Sequence, residues 1–378
     1  MGTKVFDCAI VGGGLAGLTL SIQLANAGHS VVLFEKEKYP FHKVCGEYIS
    51  MESYNFLERL GVPLSQMELP MINEVSISSP NGNMLTRKLG LGGFGISRYT
   101  LDSVLANIAA SKGVLVQEET KVMDVAFDGN VFSVNTGKET YSAKVACGAY
   151  GKKSSLDRLL ARPSMNRHSE KKKNYLAVKY HVSIGPPDNC IELHNFKNGY
   201  CGISKVDGDK YCLCYLTDSE NLKENSNSIK QMEKNVLMQN TFLKKYFSEA
   251  IFLNEQPYTI SQLTFDKKSC VEKHMLMPGD SAATIAPLCG NGMSMAMHAS
   301  FLLSPLIQKY VQGIISREQL ELDYTQQWNK LFATRVKAGK YLQGLFGKET
   351  LTNTTIGLLK HTPIITDKLI NLTHGEVF

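Results

Sequence analysis

The residues with the plainest chemical purpose stand at the start of the chain: Gly12, Gly14 and Gly17 in GxGxxG spacing, and Glu35 eighteen residues beyond the third glycine. Each type suits one part of a dinucleotide. Gly12 permits a tight turn, Gly14 puts no side chain between the backbone and a pyrophosphate, and Gly17 lets a helix sit close to a strand. The helix that opens at Leu15 and Ala16 would turn its free N–H groups and positive end toward the phosphates. Glu35, followed by Lys36, would accept hydrogen bonds from an adenosine ribose, and its charge disfavours a 2′-phosphate. The elements needed to hold these residues fall in register: an apolar strand from Val5, the glycine turn, a helix, and the strand VVLF ending at Glu35. The spacing predicts an ADP-binding βαβ unit and leaves a nicotinamide and a flavin dinucleotide equally open, because both carry the ADP half.

The whole chain sets bounds on the rest. Its 378 residues, 43% hydrophobic and 20% charged, suit one large or two ordinary soluble domains. The nine cysteines are scattered, with only Cys212 and Cys214 close together and no CxxC, so free thiols are expected and no metal site. Absence of a signal-peptide pattern and of an apolar run of ~18 residues predicts a cytoplasmic protein. The net charge of +6 is modest and no aromatic-basic module accompanies it, which excludes a nucleic-acid partner, while a basic surface suits loose peripheral contact with anionic lipid. From Gly344 onward, short apolar patches broken by polar residues and Pro363 read as helices packed on the body or as a membrane-surface element.

The order of strand-like and helix-like stretches predicts a mixed α/β fold of two domains, a Rossmann-like dinucleotide domain with an inserted antiparallel-sheet substrate domain and C-terminal helices. The first is expected to be discontinuous, over 1–70, 96–158 and 263–320. The second takes 71–95 and 159–262, with a helix over Ser228 to Phe247, and 321–378 form the helical end.

The segment PGDSAATIAPLCGNGMSMAMHAS resembles the GD motif of FAD-dependent enzymes in the para-hydroxybenzoate hydroxylase superfamily, which includes geranylgeranyl reductases and flavin-dependent halogenases. The resemblance implies that Gly279 and Asp280 meet the ribityl chain of FAD. It also implies that Pro287, Gly290, Asn291, Gly292 and Met293 form the flavin-side turn, and that the helix opening near Gly292 aims its positive end at the reducible ring. ISRYTLDSVLANIA is similar to the family's arginine-bearing helix entry, which places Arg98 near the pyrophosphate. KVACGAYGKKSSLDR is similar to the GADGxxSxxR segment, with Tyr150 where the family has an aspartate associated with nicotinamide use. FAD is the implied cofactor, with NAD(P)H or another external donor supplying electrons.

PFHKVCGEYIS resembles the P-x-x-K-x-C-G-D/E segment of geranylgeranyl reductases, so Cys45 and Gly46 are expected beside the flavin with Lys43 and Glu47 flanking them. Reduction of a carbon–carbon double bond needs a hydride on one side and a proton donor on the other. Cys45 and Glu47 are the catalytic candidates, with Tyr200 and His298 as further proton donors. The expected substrate is small and apolar: isoprenoid, polyene or polyketide-like. Monooxygenation of an aromatic or lipid-like substrate uses the same fold and is the alternative, and a flavin-binding protein without turnover is a third reading. Halogenation fits less well, because Trp328 is the single tryptophan and no Trp-x-Trp-x-Ile-Pro segment exists. The Tyr-x-Trp-x-Phe-Pro segment frequent in geranylgeranyl reductases is also missing, with GYCGISKV from Gly199 the nearest stretch.

Overall fold

A computed structural model describes residues 4–378 apart from 153, 163–173, 264, 266–267, 285–289, 346, 363, 365, 367–368 and 370–374. The chain opens with β1 (Val5–Val11), α1 (Leu15–Asn26) and β2 (Val31–Phe34). There follow β3 (Tyr48–Ser50), α2 (Tyr54–Arg59), β4 (Met71–Ser78), β5 (Met84–Gly95), α3 (Arg98–Ser111), β6 (Leu115–Gln117), β7 (Asp124–Phe127), β8 (Phe132–Asn135), β9 (Thr140–Gly148) and the short α4 (Leu156–Leu159). The middle holds β10 (Tyr175–Val182), β11 (Cys190–Phe196), β12 (Gly199–Val206), β13 (Lys210–Asp218), α5 (Ser219–Glu224), α6 (Ile229–Asn235), α7 (Thr241–Glu249) and β14 (Tyr258–Leu263). β15 (Val271–Glu272) and β16 (Met275–Leu276) precede α8 (Gly292–Val311), α9 (Arg317–Leu345) and α10 (Glu349–His361).

Two sheets organise these elements. The first runs β15-β16-β9-β1-β2-β6, with β7 and β8 attached to β9. Around β1 it is parallel, with Ile10 opposite Leu33 on one side and Cys147 on the other. Strands covered on both faces read as unbroken apolar runs, and all four residues of VVLF are buried. α1 and α8 pack together on this sheet, where Thr19 Oγ1 and Ser300 Oγ meet at 2.7 Å.

The second sheet runs β14-β10-β13-β12-β11-β4-β5-β3 and is antiparallel except between β11 and β4, where Ile191 faces Val75. Alternation along β10 sorts its two faces. Val178, Tyr180 and Val182 join Met232, Leu237 and Leu243 in the core beneath α6 and α7. Ala177 faces the opposite way, toward the first sheet's side of the molecule.

Three boundaries differ from expectation. Residues 48–50, assigned by sequence to the dinucleotide unit, pair with β5, Ile49 lying opposite Phe94. The helix expected over Ser228 to Phe247 is broken, because Asn240 caps α7 by accepting a hydrogen bond from the Phe242 N–H at 3.0 Å. α9 begins at Arg317, inside the stretch read as 263–320.

Candidate functional site

A single cavity of about 1580 Å³ runs from the β1–α1 turn, past residues 41–48, to the inner face of the second sheet and α10. At its nucleotide end the backbone is the recognition surface. Gly12 has φ +111°, and a Cβ there would lie 2.5 Å from the Ala149 carbonyl oxygen. A Cβ on Gly17 would collide with the Gly12 carbonyl oxygen, so the helix can abut the turn only with glycine at that place. α1 starts from Gly14 with no side-chain cap and no acid in its first turn. Its first N–H groups therefore lack intrahelical partners, and Gly14, Leu15 and Ala16 line the cavity.

Two cations border this opening. A Cβ on Gly14 would lie 3.6 Å from Arg98 Nη2 and 3.7 Å from Lys43 Nζ. Asp102 holds both in place: Arg98 Nε and Nη2 donate to its two oxygens at 2.7 Å each, and Lys43 Nζ lies 3.1 Å from Oδ2. Burial alone would push the Asp102 carboxyl up, but Arg98 and Lys43 outweigh it and hold it below its ordinary value. Glu35 Oε2 also lies 3.9 Å from Lys43 Nζ, so the two cations are balanced by two carboxylates, and it is the bare helix N–H groups beside Arg98 and Lys43 that make a cradle for a pyrophosphate.

Glu35 is fixed by main chain. Its Oε2 accepts the Gly13 N–H at 3.0 Å and its Oε1 accepts the Glu37 N–H at 3.1 Å. Each oxygen keeps a further lone pair, which suits it to accept from vicinal hydroxyls. Lys36 lies exposed on the cavity wall beside it.

The facing wall comes from the return to the first sheet. Gly279 and Asp280 sit in one turn on the cavity, and burial pushes the Asp280 carboxyl up against the pull of Lys152, Arg98 and Lys268. Gly290, Gly292 and Met293 line the same wall, whereas Pro287 lies outside the described residues. Asn291 departs from expectation. It is wholly buried, is not part of the cavity lining, and its side chain hydrogen-bonds Glu52, so it anchors the turn from behind.

At the junction of the two ends lie the catalytic candidates. Cys45 and Gly46 line the cavity, and Cys45 Sγ donates to Met293 Sδ at 3.5 Å. Glu47 is wholly buried. It takes a charged hydrogen bond from Lys179 Nζ, contacts His181 Nε2 at 2.7 Å and accepts the Arg98 N–H at 2.8 Å. Burial would raise its carboxyl, but the His181 bond and the Lys179 charge hold it below the ordinary value. A carboxylate kept ionised has no proton to give, and the expectation of Glu47 as general acid is corrected on that ground. It is instead the knot that ties the 41–47 segment to β10 and to the start of α3.

Lys179 and His181 were missed by sequence reasoning, though a signal existed. YLAVKYHV places a lysine and a histidine two residues apart in an apolar strand, hence on one face of it. His42 joins the group, its ring 5.4 Å from that of His181 and 4.6 Å from those of Tyr99 and Tyr258. Burial, Lys179 and His181 push its pKa down to about 4. Glu47, His181 and Cys212 have metal-ligand chemistry with their ligand atoms within 4.8 Å of one another, but the Lys179 ammonium already supplies the cation that Glu47 needs.

Tyr150 lines the cavity and its hydroxyl donates to Asp157 Oδ1 at 2.9 Å. Asp157 is also held by the buried Arg162 at 3.1 Å and by Lys268 at 2.8 Å. The tyrosine thus puts a carboxylate one side chain deeper than the motif's aspartate would. Tyr200 lines the far chamber. His298 does not: its ring stacks on Phe378 at 4.1 Å in a separate aromatic nest, which removes it as a proton donor to the cavity. Trp328 is buried in the core. Val75, Ile77, Leu85, Ile191, Leu193 and Leu216 wall the chamber from the sheet, with Ile356 and Leu359 of α10 closing it.

An uncapped glycine-turn helix, a ribose-facing acid and a second small-residue turn leading into α8, arranged along one cavity, define a dinucleotide-binding flavoprotein. The chain belongs to the FAD binding domain family, whose profile matches residues 5–336. FAD is its cofactor, and the chain is an FAD-dependent oxidoreductase. Among curated proteins it is 25% identical over 358 residues to conditioned medium factor receptor 1 of Dictyostelium discoideum, covering 87% of this chain and 68% of that one. It is 23% identical to digeranylgeranylglycerophospholipid reductase of Methanococcus vannielii, covering 86% and 82%. To kynurenine 3-monooxygenase of Flavobacterium johnsoniae it is 21% identical, covering 80% and 72%. The solved structure of the flavin-dependent brominase Bmp2 superposes with a TM-score of 0.80 at 17% identity, over 98% of this chain and 93% of that one, which establishes a shared fold. Among the described residues no helix is long and apolar enough to cross a membrane.

Proposed function

We propose that this oxidoreductase reduces a carbon–carbon double bond in an apolar, isoprenoid- or polyene-like substrate. The observation that carries the reading is the continuity of the cavity: the glycine-turn end opens directly, past Cys45 and Gly46, into a chamber walled by aliphatic side chains. The similarity to an archaeal lipid reductase is consistent with such a substrate.

In this reading the N–H groups of α1 at Gly14, Leu15 and Ala16 hold the pyrophosphate, with Gly12 and Gly17 shaping the turn beneath. Arg98 and Lys43 neutralise the phosphates, Glu35 with Lys36 borders the ribose, and Gly279 with Asp280 meets the ribityl chain. Gly46, Gly290, Gly292 and Met293 border the ring. Bound there, FAD supplies hydride chemistry. Cys45 holds the proton that completes the reduction, at a thiol whose present acceptor, Met293 Sδ, is weak and easily exchanged for a substrate carbon. Glu47, pinned by Lys179 and His181, is a positioning residue that fixes the loop carrying this thiol. The aliphatic chamber excludes water and orients the double bond by its shape.

The test is anaerobic. Reduced enzyme mixed with a geranylgeranyl-bearing lipid should reoxidise without oxygen and yield a product two hydrogens heavier. Reoxidation that requires oxygen and yields an oxygenated product would overturn the reading in favour of monooxygenation. Cys45→Ser should slow the anaerobic step at least about tenfold while retaining flavin.

A further inference from the structure

α10 has two faces with different surroundings. Thr352, Thr355, Ile356 and Leu359 line the chamber. On the other side Leu351 and Leu358 project into solvent, Leu358 being 63% exposed, and the segment that follows places Ile364 at 72% exposure. At the end of α9, Tyr341 is 78% exposed. Large apolar side chains occur singly elsewhere, as at Leu159 and Leu322, but four within twenty-four residues of one helical end, three of them more than 60% exposed, mark an interaction face.

The charge around this face is one-sided. Lys337, Lys340, Lys348 and Lys360 are all exposed, and Arg87 of β5 reaches over to the Lys360 carbonyl at 3.2 Å. Among the described residues 337–364, Glu349 is the single acid. Apolar side chains interleaved with lysines match the boundary of an anionic bilayer, where the rings and aliphatic groups enter the acyl region and the ammonium groups meet the headgroups.

We propose that the outer face of α10, with Tyr341 and Ile364, docks this protein on the surface of an anionic lipid bilayer. The further consequence, which rests on the reading of an apolar lipid substrate, is delivery. A bilayer seated on one face of α10 is separated from the chamber by the thickness of a single helix, so an acyl or prenyl chain that rounds α10 reaches the chamber over a short, largely apolar path.

Docking is read without turnover. FAD-loaded protein is sedimented with vesicles of phosphatidylcholine, with or without phosphatidylglycerol. The expected result is at least about tenfold tighter binding to the anionic vesicles, weakened by salt. Leu358→Glu with Ile364→Glu should lose that binding while keeping the flavin spectrum and photoreduction, since both side chains already face solvent. Leu358→Trp should gain a blue-shifted emission on anionic vesicles beyond that of Trp328. Failure to sediment with either vesicle overturns the proposal. So does binding untouched by the double glutamate variant, and so does a dimer in light scattering that this variant dissolves, which would make the face a contact between copies. Docking with no anaerobic reoxidation by lipid would instead overturn the reductase reading and leave the docking surface standing.

Discussion

The two ends of the central cavity are built by opposite means. At the nucleotide end the main chain does the recognising: bare N–H groups of α1, a turn that tolerates only glycine at Gly12 and Gly17, and a Glu35 carboxylate fastened by two backbone donors. At the junction with the chamber, side chains from distant elements do the work, with Glu47, Lys179 and His181 gathered in a buried knot and the half-buried His42 ring beside it. The first arrangement is cheap to hold because its parts are local. The second is held because each charged member would be stranded without its partner.

That difference can be broken most forcefully at Lys179. Replacing it with methionine leaves the buried Glu47 charge with only His181 and the Arg98 N–H, and urea unfolding should show a loss of about 3–5 kcal/mol. Lys179→Met combined with Glu47→Leu should recover most of it. A single-variant loss under about 1 kcal/mol would show that the knot is not energetically coupled.

Acid reports on the junction, on Asp102 and on the separate His298 nest with a defined sign. His42 and His298 have pKa values pushed down to about 4 from an ordinary 6.5, the first by burial with Lys179 and His181, the second by burial with Arg335. Below pH 6.5 the unfolded chain takes up protons that the native rings refuse, so stability falls as pH drops from 6.5 toward 4. Glu47 and Asp102 have lowered values, so their contribution is present above the unfolded carboxylate range and is lost as pH falls below it. His298→Gln should flatten the first part of the curve by at most about 3 kcal/mol and leave the second unchanged.

The nucleotide end should respond in ligand rather than fold. Gly14→Ala places a methyl 3.6 Å from Arg98 and 3.7 Å from Lys43, ordinary contacts for the protein but an obstacle to a pyrophosphate. FAD affinity should fall at least about tenfold, roughly 1.4 kcal/mol, with the flavin-free unfolding temperature unchanged. The smallest effect is expected at Tyr150→Phe. Asp157 keeps Arg162 and Lys268, so the loss of one hydrogen bond should cost about 0.5–1.5 kcal/mol of stability.

How much could be read in advance follows from how far apart the partners lie. The glycines, Glu35 and the helix between them sit within residues 5–37, and a βαβ unit of that length carries its own pattern. Arg98 is legible as a motif residue, but the hold that Asp102, one turn later, has on both Arg98 and Lys43 appears only in the structure. Glu47 was read as a proton donor because its partner Lys179 lies 132 residues away, beyond any local pattern. Asn291 sits in the right turn, yet points to Glu52 and not to the cavity.

By itself the sequence determined the dinucleotide unit and the mixed α/β architecture, since these rest on backbone conformations that particular residues permit or forbid at close spacing, while FAD followed from the resemblance of the segment around Asp280 to a known family. Only the tertiary structure decided which acids are ionised, which proton donors reach the cavity and what closes the chamber. Protonation depends on burial and on charges brought within a few ångströms, and α10 becomes a wall only when the chain folds back against β5.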